Sequence, residues 1–116
     1  MTHHAAALRQ LLLGAPRQAL PMTYQQVASA LALTPPRTIA QVTQALEQLM
    51  REDAAQQKPF IAALVVSRRG DGLPATGFFD LAVALGRFPP DTAQHKVSYH
   101  TEFQRALQER ENECES

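Results

Sequence analysis

Residues 4–13 (HAAALRQLLL) place Leu8, Leu11 and Leu12 at helical spacing among good helix formers and end at Gly14 and Pro16, which predicts a first helix. Thr23 stands three residues before Gln26, the capping-box pattern in which each side chain satisfies an unpaired amide of the other residue. A second helix is expected from Tyr24 to about Leu31, with Val27, Ala28 and Leu31 on its apolar side. The prolines of Thr34-Pro35-Pro36 close it, because a residue before proline is pushed out of the helical region.

Thr34 can cap a third helix from Pro35 to about Met50, since proline is tolerated in a first helical turn. Ile39, Val42, Leu46, Leu49 and Met50 fall on one face of it, and its far side is polar but nearly uncharged. Arg51-Glu52-Asp53 and Gln56-Gln57-Lys58 then lead out of the helix. The run Phe60 to Val66 is short, apolar and bounded by Pro59 and the turn formers Gly70-Asp71-Gly72, which favours a buried strand. Residues 68–77 form a glycine-rich loop, long enough for a hairpin tip or a wing. Phe78 to Gly86 suits a short buried helix closed by Gly86. Tyr99, Phe103, Ala106 and Leu107 make a last helical stripe. The expected fold is α+β and mainly helical: a winged helix-turn-helix-like single domain with a short β strand or hairpin and a C-terminal helix. Residues 1–116 form that one domain, its core at about 4–90 and its C-terminal helix at about 98–112 with an acidic tail.

Composition narrows the function. At 116 residues and 45% hydrophobic content the chain suits one domain, and it has no apolar run of membrane-spanning length. The Met-Thr-His-His start lacks a signal-type pattern, so a cytoplasmic location without membrane contact is expected. Cys114 is the single cysteine, which excludes a disulfide framework or a cysteine-rich metal site. The formal net charge is 0, but Glu102, Glu109, Glu111, Glu113 and Glu115 gather at the end, leaving nine basic and six acidic groups before them. An acidic tail of this kind reads as a solvated helix end or, alternatively, as a mask for a basic surface.

No catalytic constellation emerges. His95 and His100 are five apart rather than three or four, and His3 and His4 are adjacent, so no metal or other cofactor is expected. Gly70-Asp71-Gly72 lacks the lysine and spacing of a phosphate-binding loop. An enzyme assembled around Asp71, Thr76 and Asp80 is a minor alternative.

Two helices joined by a few residues and followed by a strand and a glycine-rich loop have the proportions of a winged helix-turn-helix unit. Its second helix enters a duplex groove, where Thr38, Gln41, Gln44 and Gln48 offer hydrogen bonds while Arg37, Arg68 and Arg69 supply cations for phosphates. Thr23-Tyr24-Gln25-Gln26-Val27-Ala28, Arg37 to Leu46, and Pro59 through Val65-Val66 to Gly77-Phe78 resemble the winged helix-turn-helix domain of the alkylguanine-DNA alkyltransferases and alkyltransferase-like proteins. The resemblance spans about half of the chain. It implies that Tyr24 contacts a phosphate and that Arg37 enters the base stack to help extrude a nucleotide. The family's active-site run of proline, cysteine or its replacement, histidine, arginine and two valines is not kept. Here Pro59 is followed by Phe60-Ile61-Ala62-Ala63-Leu64 before Val65-Val66. Without a nucleophile, alkyl transfer is excluded. The expected function is a non-enzymatic DNA-binding module, regulatory or associated with DNA repair, with duplex DNA as partner. The alternative is a protein-interaction or dimerisation domain, a homodimer or other protein partner being held through Tyr99, Phe103 and Leu107.

Overall fold

Seven buried residues in a row, Phe60 to Val66, run through the middle of the molecule, and the helices pack around them. The computed structural model describes residues 3–67 and 72–115. In chain order the elements are α1 (His3–Gly14), β1 (Met22–Thr23), α2 (Tyr24–Ala30), α3 (Thr38–Ala55), β2 (Val65–Val66), α4 (Thr76–Ala84) and α5 (His95–Glu115). Short 3-10 turns occupy Arg17–Ala19, Ile61–Leu64 and Thr92–Gln94. The result is a small, mainly helical α+β fold with a two-stranded sheet. Its radius of gyration, 13.3 Å, is that of a compact chain of this length.

The central run is buried as expected, but it is not a strand throughout. Ile61–Leu64 turn as a 3-10 helix, and only Val65 and Val66 are extended, pairing in parallel with Met22 and Thr23. Side chains explain the difference, because they satisfy backbone groups that a sheet neighbour would otherwise have to reach. The Phe60 N–H donates to Glu102 Oε2 at 2.6 Å, the Ile61 N–H to Asp53 Oδ2 at 3.0 Å, and Tyr99 Oη donates to the Ala63 carbonyl at 2.8 Å. These partners come from α3 and α5, so the run is held from both sides by helices.

Helix ends follow local chemistry closely. The Thr23–Gln26 capping box is present, with Gln26 N–H on Thr23 Oγ1 at 3.1 Å and Thr23 N–H on Gln26 Oε1 at 2.9 Å. Gly86, at φ 76°, ends α4 through the pair of bonds from Gly86 N–H to Val83 and from Arg87 N–H to Ala82. α3 departs from expectation at both ends. Its first residue is Thr38 and its N-cap is Arg37 in the left-handed region (φ 64°), not Thr34. Two successive prolines keep Thr34 and Pro35 out of helical conformation, so the helix starts only beyond Pro36. At the other end it continues past Met50 to Ala55, which carries Arg51, Glu52 and Asp53 as helical residues.

That extension puts Asp53, 1% exposed, into the core, where Arg9 of α1 reaches Oδ1 at 2.9 Å. Burial pushes the Asp53 carboxyl above its ordinary value of 3.8, and the Ile61 amide and Arg9 pull it back only in part. The folded chain therefore holds this proton more tightly than the unfolded chain. The stability this contributes is complete below 3.8 and is lost as pH rises through the raised folded value. Asp53→Asn cannot titrate. The unfolding free energy of wild type minus that of Asp53→Asn is thus expected to decrease as pH rises above 3.8, measured by urea unfolding at a series of pH values.

Aromatic packing centres on Phe78, whose ring meets Phe60, Phe79, Phe88 and Tyr99 edge to face at 5.4–6.1 Å. Arg87 lies over the Phe60 ring at 4.4 Å and pairs with Glu102 at 2.8 Å. α5, longer than expected at both ends, covers this cluster with Tyr99, Ala106 and Leu107, all buried. Glu102 (3% exposed) and Arg110 (6%) are buried with them, so Glu102 is a structural charge and not part of a solvated tail.

Candidate nucleic-acid interface

α3 packs against α1 and α2, its Val42, Leu46 and Leu49 belonging with Val27 of α2 to one buried apolar core, and this burial leaves the opposite side of α3 facing outward. The sequence pattern places Ile39 on the same buried face. It lies 38% exposed instead, on an open groove between the first turn of α3 and α2 that Gln25, Ala28, Ser29, Leu33 and Thr38 also line.

The sequence-derived site residues separate into three groups. Arg37 and Gln44 are exposed on the outer side of α3, and Thr38 is half-buried at the groove. Gln41 and Gln48 spend their amides within the molecule. Gln41 Nε2 donates to the Thr34 and Pro36 carbonyls at 3.0 and 3.1 Å, bracing the turn before α3, and Gln48 Nε2 donates to Glu52 Oε2 at 3.0 Å. The Gln48 bond, with Arg9 beside it at 3.1 Å, lowers the Glu52 carboxyl below its ordinary range. Tyr24 is withdrawn altogether: it is buried, its hydroxyl accepts the Ala75 N–H at 3.3 Å, and burial raises its phenol above the ordinary value. A phosphate contact by Tyr24 is not available in this conformation. Arg68 and Arg69 lie outside the described residues, as do Gly70 and Asp71 of the expected wing. Among the described residues β2 has only the parallel partner β1, and the Ser67 N–H bond to the Leu73 carbonyl at 2.9 Å closes the base of the loop.

Arg51 was missed. It is exposed seven residues beyond Gln44, itself seven beyond Arg37, so the three stand near one line spanning about 21 Å at 1.5 Å per residue. The heptad spacing was visible in the chain, but ending the helix at Met50 hid it. Charge pairing singles out the same line. Arg9 is held by Glu52 and Asp53, Arg17 by Glu111, Arg87 and Arg105 by Glu102, and Arg110 by the Leu13 and Ala15 carbonyls. Among the described residues, the side chains of Arg37, Arg51 and Lys96 have no such partner, and two of these three are on the outer side of α3.

The alternative sites fare differently. The Tyr99, Phe103, Leu107 stripe faces the chain's own core, with Tyr99 and Leu107 buried and Phe103 half-buried, which removes it as a free partner surface. Thr76 and Asp80 are exposed on α4, and Asp71 lies outside the described residues. Among the described residues no cluster of three His, Cys, Asp or Glu side chains could hold a metal ion. His95 stacks on Phe79 with ring centroids 5.3 Å apart and bonds the Pro89 carbonyl at 2.9 Å. No helix among the described residues is long and apolar enough to cross a membrane. No protein-family model, curated protein or solved structure matches the chain.

Proposed function

We propose that the chain is a non-enzymatic module that binds duplex DNA in the manner of a winged helix-turn-helix, with α3 in the groove. One observation carries this reading: Arg37 and Arg51, without ion partners among the described residues, flank the exposed amide of Gln44 on the outer side of α3. Arginines free of internal carboxylates lose no ion pair on meeting a phosphate, and a glutamine between them can hydrogen-bond a base edge. The interface is smaller than the sequence suggested, since Gln41, Gln48 and Tyr24 are engaged elsewhere. Net charge 0 makes the interaction weak and dependent on low salt.

Fluorescence anisotropy of a labelled duplex tests the proposal. Wild type should bind at low salt and lose affinity at physiological salt. Changing Arg37 and Arg51 together to alanine should weaken binding about tenfold or more and flatten the logarithmic salt slope by roughly two. Absence of binding at both salts, or a double variant that binds as wild type does, contradicts the proposal.

A further inference from the structure

Beside the outer side of α3, between its middle and the start of α4, lies a cavity of about 60 Å³. By volume it has room for roughly five water-sized groups. Its walls are mainly apolar, with Leu46 and Met50 from α3 and Phe78 from α4, and Tyr24 and Ala75 also line it. Tyr24 Oη accepts the Ala75 N–H and keeps a second lone pair, and Thr43, also on the wall, has its hydroxyl on the Ile39 carbonyl at 3.1 Å. Glu47 is the one charged residue lining the cavity. It is half-buried, and among the described residues no hydrogen bond or ion pair reaches its carboxylate.

We infer that this cavity binds an alkylammonium group, its nitrogen at the Glu47 carboxylate and its short carbon chain against Leu46, Met50 and Phe78. Ligand charge follows from the lining. An anion would be repelled by Glu47, and a neutral apolar molecule would strip water from the carboxylate without replacing its hydrogen bonds. An ammonium supplies charge-assisted donors to Glu47 and one to the free lone pair of Tyr24, while a chain of about four carbons fills the remaining volume. Such a group is found both on small free amines and at the tip of a lysine side chain. The site does not depend on the DNA reading, and its test contains no DNA.

The probe is n-butylammonium chloride, titrated at constant ionic strength into isotope-labelled protein while the amides of Leu46, Glu47, Ala75 and Phe78 are followed by NMR. Saturable shifts at these amides are expected, with a roughly millimolar Kd. Binding should be at least about tenfold weaker for n-butanol, and also for n-butylammonium with Glu47→Gln. The butanol comparison uses the unaltered chain, so it stands even if the variant is unstable. No saturable shift, equal binding of butanol, or an unchanged Kd in Glu47→Gln overturns the site. A blocked lysine, Nα-acetyl-lysine N-methylamide, separates the sources: binding tighter than n-butylammonium assigns the cavity to a lysine of a partner protein, and weaker binding assigns it to a free amine.

Discussion

Cutting the chain after Asp91 is expected to leave a polypeptide that does not fold. The removed segment contains α5, which supplies Tyr99, Ala106 and Leu107 to the core, the Tyr99 hydroxyl to the Ala63 carbonyl, and the Glu102 carboxylate to the Phe60 amide. Burying a large apolar side chain contributes about 1.5–3 kcal/mol. Each buried backbone group stripped of its partner costs a further 1–3 kcal/mol or so. Losing two such side chains and two such partners together consumes most or all of the roughly 5–15 kcal/mol by which a domain is usually stable. Circular dichroism and a thermal melt of the truncated chain check this. A cooperative melt near that of the full chain would mean that α5 is an appendage and that its stripe is free for a partner after all.

Glu102→Ala should destabilise the fold by about 3 kcal/mol or more, or roughly 12 °C in melting temperature for a chain of this size. Three groups depend on that carboxylate. The Phe60 N–H and Arg87 Nη1 lie 2.6 and 2.8 Å from Oε2, and Arg105 lies 3.6 Å from Oε1. Removing it leaves a buried amide unpaired and a partly buried guanidinium, stacked over Phe60, without its counter-charge. Glu102→Gln keeps an acceptor for the amide and loses only the charge, so it should be the milder change. Urea unfolding of the two variants separates the hydrogen bond from the ion pair. Equal stability of wild type and Glu102→Ala would show that the carboxylate is solvated rather than structural.

Glu102 also marks where reading the chain stops working. Signals that act within one or two turns were legible: the Thr23–Gln26 box, the Gly86 stop, and the Val42, Leu46, Leu49 face of α3. Burial of Phe60 to Val66 was legible from its apolar character. Its 3-10 geometry was not, because it depends on Asp53, Tyr99 and Glu102, which lie 8 to 42 positions from the groups they bond. No local pattern separates a carboxylate facing water from one that meets a distant amide. By sequence alone Glu102 therefore falls with the acidic tail, and Asp53 with the segment leaving α3. Of the candidate site, the exposure of Gln44 followed from helical periodicity, whereas Arg37 is exposed as the left-handed N-cap before α3. The engagement of Gln41 with the Thr34 and Pro36 carbonyls did not, since it depends on where α3 begins, and Arg51 was lost through where α3 ends.

The measurement that bears most directly on the outer side of α3 as a DNA-binding surface is an NMR titration of labelled protein with a short duplex at low salt. The proposed interface predicts the largest shifts at Arg37, Thr38, Gln44 and Arg51, with Tyr24 and the buried face of α3 little changed. A spectrum that stays constant throughout the titration, or shifts confined to α5 and α1, would contradict it.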